Sequence, residues 1–103
     1  MGGSEVLKDE AKEIIFTLKN NLPSGNIVIK INQIAKQTNQ ILPEIRMDKK
    51  IQEGDNEISF DMDATHLGIQ EYTIQTFYKI IVNNKEVLLP SDKILFNMNV
   101  VNE

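Results

Sequence analysis

Cysteine and tryptophan are absent from this chain, histidine occurs once and proline three times. Without cysteine there is neither a disulfide nor a thiolate metal site. A single histidine, His66, does not build the histidine-rich sites that hold zinc. Eleven basic residues stand against fifteen acidic ones, for a net charge of −4. That sign does not suit a protein whose main partner is a phosphate backbone, because counterion release needs clustered Lys and Arg, so no nucleic acid partner is expected. No apolar run approaches the roughly 18–20 residues that cross a bilayer, and membrane insertion is not expected. Met1-Gly2-Gly3-Ser4-Glu5 shows no basic stretch followed by an apolar core, so no export leader is expected and Met1 reads as a natural start. The competing reading is that Met1-Gly2-Gly3-Ser4 replaces a leader that has been removed.

What the chain does have is a two-residue rhythm. In Asn56-Glu57-Ile58-Ser59-Phe60-Asp61-Met62-Asp63, the residues Ile58, Phe60 and Met62 alternate with polar neighbours, as in a strand with one buried and one wet face. From Tyr72 to Val82 the residues Tyr72, Ile74, Thr76, Tyr78, Ile80 and Val82 share a face. Phe77 and Ile81 lie opposite among Thr73, Gln75 and Lys79, so this strand is expected to be central and partly covered on both sides. Fifteen isoleucines suit pleated surfaces. With 103 residues, 41% hydrophobic and 25% charged, the chain reads as one folded domain that buries roughly 60–70% of its unfolded surface.

Taken in order, residues 1–12 form a charged arm. Ser4 is placed to cap a short helix, but only Val6, Leu7 and Ala11 are apolar, so a turn or two of helix or an extended arm is expected rather than a core element. Strands are expected at Glu13–Lys19, with Ile14, Phe16 and Leu18 on one face, and at Asn26–Ile34, with Ile27, Ile29 and Ile31 inward. The turn cluster Asn20-Asn21-Leu22-Pro23-Ser24-Gly25 separates them. Ile41–Met47 is read as a third strand, which Pro43 places at an edge or makes start late. Asp48-Lys49-Lys50 is read as a charged break, Ile51 as the anchor of a short fourth strand, and Glu53-Gly54-Asp55 as a tight turn. Asn83-Asn84 fits a two-residue hairpin turn, after which Glu86–Leu89 returns. Pro90-Ser91-Asp92-Lys93 is expected to break that strand before Ile94–Val101, where Ile94, Phe96, Met98 and Val100 share a face. Seven to eight short strands without a convincing helix between them favour an antiparallel β-sandwich, with residues 13–103 as the domain.

Three pieces resemble immunoglobulin-like domains of bacterial and phage proteins: Gly54-Asp55-Asn56-Glu57-Ile58-Ser59-Phe60-Asp61, then Leu67-Gly68, then Tyr72-Thr73-Ile74. The resemblance implies an all-β, immunoglobulin-like sandwich in which the Tyr72 hydroxyl bonds back to the backbone at the Leu67-Gly68 corner. Here Ile69-Gln70-Glu71 separates Gly68 from Tyr72, a longer spacer than the usual single residue.

No residue is assigned a catalytic, cofactor-binding or metal-binding role, and no cofactor is expected. His66 beside Thr65 has no neighbouring nucleophile or second ligand in the sequence, so it reads as a turn residue rather than a general base. Asp61 and Asp63, with Asp55 and Glu57 upstream, would suit calcium if they converged. There is no Asp-x-Asp-x-Asp-Gly loop, and alternating acids read as a solvated strand face. A glycosidase pair would need two carboxylates across a cleft with unequal pKa values. Arg46, Lys49 and Lys50 lie among Glu44, Asp48 and Glu53, a mixed-charge surface. Tyr72, Phe77 and Tyr78 could stack a sugar if exposed, but at strand spacing they fill the core.

The expected function is therefore a non-enzymatic structural or binding module in a larger assembly. The specific expectation is an accessory (decoration) protein of a bacteriophage capsid or virion, made in the host cytoplasm, whose partner is a repeated protein lattice. Sheet edges near Ile41–Ile51, or the arm at Ser4–Lys12, would supply the contacts. The alternative is a β-sandwich module of a secreted or surface-anchored bacterial protein, acting as a spacer or in adhesion or glycan binding.

Overall fold

A computed structural model describes residues 5–20 and 25–102. The turn cluster read at 20–25 falls largely outside them, as do Ser4 and its capping role. The described chain is all-β. Its strands are β1 (Glu5–Leu7), β2 (Glu13–Asn20), β3 (Gly25–Ala35), β4 (Gln40–Ile41), β5 (Ile45–Ile51), β6 (Gly54–Asp61), β7 (Gly68–Val82) and β8 (Lys85–Val101). One sheet runs β1-β8-β7-β3, with β4 and β5 sharing the far edge of β3; the other is the pair β2-β6. All pairings are antiparallel except β1 on β8.

The alternation read from the sequence places the core between these sheets. Ile58, Phe60 and Met62 are buried from the β2-β6 side, and Ile27, Ile29, Ile31, Tyr72 and Ile74 from the other. An aromatic chain crosses the interior. Phe16 meets Phe60 edge-on at 6.5 Å, Phe60 lies 5.8 Å from Tyr72, and Tyr72 stacks on Phe96 at 4.9 Å. Such pairs are worth about 0.5–1.5 kcal/mol each beyond area burial.

Four local expectations change. The N-terminal segment forms no helix among the described residues. Glu5–Leu7 is a parallel strand on Asn99–Val101, and Val6, only 2% exposed, packs in the core. One well-placed side chain suffices because β8 supplies the backbone partners that a free arm would lack.

The segment Ile41–Met47 is interrupted, and the charged triplet Asp48-Lys49-Lys50 lies inside β5. Among the described residues β5 pairs only with β3, and its charges are exposed. Pro43 does lie at an edge, between β4 and β5. Finally, Pro90 does not end β8. A bulge there sets Ser91 and Asp92 against Thr76 alone, since Gln75 pairs with Lys93 and Phe77 with Pro90. Thr76 Oγ1 accepts from Asp92 N at 2.9 Å and donates to Asp92 O at 3.2 Å, satisfying the displaced backbone.

The fourth change concerns reach. β7 has 15 residues, which at ~3.3 Å each span the long axis of the molecule. That axis measures 51 Å. β2 and β6 have eight residues each and cover only part of it. Among the described residues their cover ends near Tyr78, whose hydroxyl donates to Asn20 Oδ1 at the end of β2. Ile80 and Val82, expected on the buried face with Tyr72, therefore emerge at 42% and 46% exposure.

Candidate functional site

The exposed end of the β7-β8 hairpin is the largest concentration of uncovered apolar side chains on one element. Asn83 and Asn84 take φ of 52° and 63°, the left-handed pair that a tight hairpin turn of matching twist requires. Beside the turn stand Ile80, Ile81 at 63% exposure and Val82 on β7, with Leu89 at 45% on β8. Strand alternation sends Ile80 and Val82 to the sheet face turned toward β2-β6, and Ile81 to the opposite face. Among the described residues β7 and β8 pair only with each other beyond Tyr78, and apolar groups on both faces of such a ribbon are what a docking element presents, because it gains little stability by itself.

Charged side chains link this hairpin to β5. Arg46 on β5 bonds Asp48 and Glu86, both at 3.0 Å, and Lys79 reaches Asp48 at 3.5 Å and Glu86 at 3.8 Å. The network ties β5, β7 and β8 together. The Arg46 side chain holds the Asp48 carboxyl below its ordinary range, chiefly through the hydrogen bond. Arg46 is thus a member of a mixed-charge network, as its neighbours in sequence suggested. Glu86 and Lys79 were not legible as its partners, because they are brought there by strand pairing. Lys30 lies 5.3 Å from the centre of the Phe77 ring on the outer face of the sheet.

The other nominated residues do not converge. Asp55, Glu57 and Asp61 line the wet face of β6, where Lys19 sits opposite Asp55 and Glu13 opposite Asp61. Among the described residues no three or more His, Cys, Asp or Glu side chains are grouped to hold a metal ion. Tyr72 is in the core, Tyr78 packs against it and Phe77 faces the other way, so the three form no single platform.

His66 belongs to a corner built around Asp63. Asp63 Oδ1 accepts from Thr65 N at 3.0 Å and from Thr65 Oγ1 at 2.5 Å. These bonds, the side-chain one foremost, hold the Asp63 carboxyl below its ordinary range. The hydroxyl proton of Thr65 being committed to Asp63, the 3.1 Å contact with His66 is made by a proton on His66 Nδ1. Beneath the corner, Gln33 Nε2 donates to Asp63 O and Gln70 Oε1, at 2.9 and 2.8 Å. Gln70 Nε2 donates to His66 O and Gly68 O, at 2.8 and 3.2 Å. All four amide protons of this buried pair have acceptors, which pins the β6-β7 connection over β3. Gly68 is required there: its φ is 94°, and a Cβ would lie 2.8 Å from Gln37 Oε1.

Tyr72 departs from its expected role. Its hydroxyl makes no bond to the Leu67-Gly68 corner; it is buried without a hydrogen-bond partner. Burial, reinforced by the Asp63 charge, pushes it well above the ordinary tyrosine value. The longer spacer Ile69-Gln70-Glu71 is the physical reason: Gln70 takes over the corner carbonyls that a closer tyrosine would reach.

No helix among the described residues is long and apolar enough to cross a membrane. The chain matches no family model, no curated protein and no solved structure.

Proposed function

We propose that this protein is a non-enzymatic binding module that attaches to a larger protein assembly through the β7-β8 hairpin, as a decoration protein attaches to a bacteriophage capsid. The observation that carries this reading is the hairpin end, where Ile80, Ile81 and Val82 are uncovered, with Leu89 further along β8, on an element linked to β5 by the Arg46–Asp48–Lys79–Glu86 network. A strand pair already formed before docking lowers the entropy lost on binding. Many copies on a lattice would turn weak single contacts into firm attachment.

The immunoglobulin-like reading is supported by strand order. β8, β7 and β3 adjoin in one sheet and β2 and β6 in the other, as the seventh, sixth, third, second and fifth strands of that fold do. The edges first favoured for docking are less suited to it. β5 carries Arg46, Asp48, Lys49 and Lys50, charges that guard an edge against pairing, and β1 is three residues long.

The test is whether a capsid gene neighbours this one and, with shells assembled from its product, co-sedimentation. The wild-type protein is expected in the pellet, and the double variant Ile81→Lys, Val82→Lys in the supernatant with an unchanged melting temperature. Wild-type protein that stays in the supernatant, or a variant that pellets equally well, would end this reading.

A further inference from the structure

The smaller sheet leaves one edge of β6 open along its backbone, and a cavity lies beyond the end of that edge. Met62 N donates to Lys12 O at 2.9 Å, just past the Glu13–Asp61 pair. Antiparallel alternation carries this back along β6, so Phe60, Ile58 and Asn56 turn their backbone groups toward β2. Asp55, Glu57, Ser59 and Asp61 turn theirs to the other side, where no strand pairs among the described residues. The chain arrives from β5 through Gln52 and Glu53, next to Asp55. The window clear of that connection runs from Glu57 to Asp61, and its outward-turned residues Glu57, Ser59 and Asp61 are all exposed.

Beyond Asp61, a cavity of 200 Å³ lies between the sheets, lined mostly by Ile31, Leu42, Pro43, Ile45 and Tyr72, with Asp63 at the β6 side. Its origin is the proline in the edge strand. Ile34 pairs with Ile41 and Ile31 with Ile45, so the two residues Asn32 and Gln33 on β3 face three, Leu42, Pro43 and Glu44. The extra residue lifts the edge away from β3, as a bulge does. Pro43 and Ile45 are exposed, so the cavity meets the surface here. An apolar void of about 150 Å³ admits a benzene-sized guest. This one therefore has room for an aliphatic side chain.

The charges along the open window are of one sign. Asp61 stands opposite Glu13 and Glu57 opposite Thr17, while the one lysine of the two strands, Lys19, stands opposite Asp55 at the far end. Among the described residues no ion pair reaches Glu13, Glu57 or Asp61. On β5, by contrast, Arg46 and Asp48 answer each other. A second copy of β6 paired antiparallel about Ser59 would set Glu57 directly against Asp61, and like charges so placed destabilise a strand pair. A strand with cations at alternate positions meets the same carboxylates favourably.

We propose that β6 takes up an extended segment of a partner protein as an added strand, in which lysine or arginine alternates with aliphatic residues. The cations lie beside Glu57 and Asp61 on the wet face. The aliphatic side chains turn inward beside Phe60 and Met62, and one of them fills the cavity. Main-chain bonds to Glu57, Ser59 and Asp61 give affinity, and the cavity gives selectivity. The inference does not depend on the hairpin reading, since the hairpin end and the cavity lie toward opposite ends of β7.

The probe is the blocked hexapeptide Lys-Val-Lys-Leu-Lys-Val, titrated into the full chain and followed by NMR. At saturation, slower solvent exchange is expected at the Glu57, Ser59 and Asp61 amides, together with shifts of the Leu42 and Ile45 methyls. A Kd on the order of 0.1–1 mM is expected for so short a strand. The same peptide with glutamate in place of lysine should bind at least about tenfold more weakly. In the double variant Glu57→Lys, Asp61→Lys that preference should invert. Ser59→Pro removes one outward N–H and no bond to β2, so the fold should persist while lysine-peptide affinity drops severalfold. The proposal is overturned if the lysine peptide leaves the three amides unprotected, or if the two peptides bind the parent equally well. It is overturned equally if the charge-reversed variant keeps the parent's preference. Protection of these amides without peptide, growing with protein concentration, would assign the edge to a second copy and also overturn it.

Discussion

The two ends of the β7-β8 ribbon obey the same alternation and meet opposite fates. From Gln70 to Thr76 every second side chain of β7 is buried, facing Phe60 and its neighbours from β2-β6. From Ile80 to Val82 the same rhythm continues, yet each of these residues is more than a third exposed. Nothing in the residue types separates them: isoleucine fills the core at Ile74 and faces solvent at Ile80. The difference is the length of the opposing sheet, eight residues against fifteen. Burial is a property of two surfaces, and a strand's own pattern reports only one of them.

This contrast can be broken at either end. Phe60→Ala, at the centre of the aromatic chain, should lower stability by about 3–5 kcal/mol in urea unfolding. A loss below about 1 kcal/mol would mean that the interior is not organised around that ring. Val6→Ala tests whether the N-terminal strand belongs to the covered end. Two methyl groups at about 0.8 kcal/mol each, plus a small void, predict a loss of roughly 2 kcal/mol. A free arm would show no change.

The Asp63 corner should reveal itself in acid. Its folded pKa is depressed, so its contribution is fully present above the ordinary aspartate range and is lost as pH falls through the folded value. Asp63→Asn should therefore lower stability near neutrality and converge on the parent in acid, flattening part of the pH dependence, as followed by melting temperature against pH. An unaltered acid profile would show that Thr65 does not hold the carboxylate in solution. The smallest effect is expected at the hairpin tip. Ile81→Lys should stay within about 0.5 kcal/mol of the parent. A loss above about 2 kcal/mol would show that the tip packs within its own chain, which would remove the contrast.

Much of the fold was legible where a residue's partner is the alternation itself. Ile58, Phe60 and Met62, like Ile94, Phe96, Met98 and Val100, lie on the faces their spacing assigns. Asn83-Asn84 announced its turn because two residues with positive φ are tolerated best by asparagine and glycine. Pro90 misled because a bulge, rather than a break, absorbed its missing donor, with Thr76 repairing the backbone of Asp92. The cavity beside Tyr72 was not legible. Asp63, Tyr72 and Leu42 have no common spacing and come together only across the two sheets.

By itself the sequence determined that this chain folds into strands with one apolar face, that it holds neither disulfide nor thiolate metal site, and where its tightest turn falls. These follow from local sterics and from a period of two, both properties of neighbouring residues. Only the tertiary structure decided which apolar faces are covered. It also decided that Val6 joins the core, that Arg46 meets Glu86, and that the proline edge opens a cavity beside Tyr72. Those facts depend on how far each sheet extends over the other and on which strands share an edge, quantities that no single stretch of chain contains.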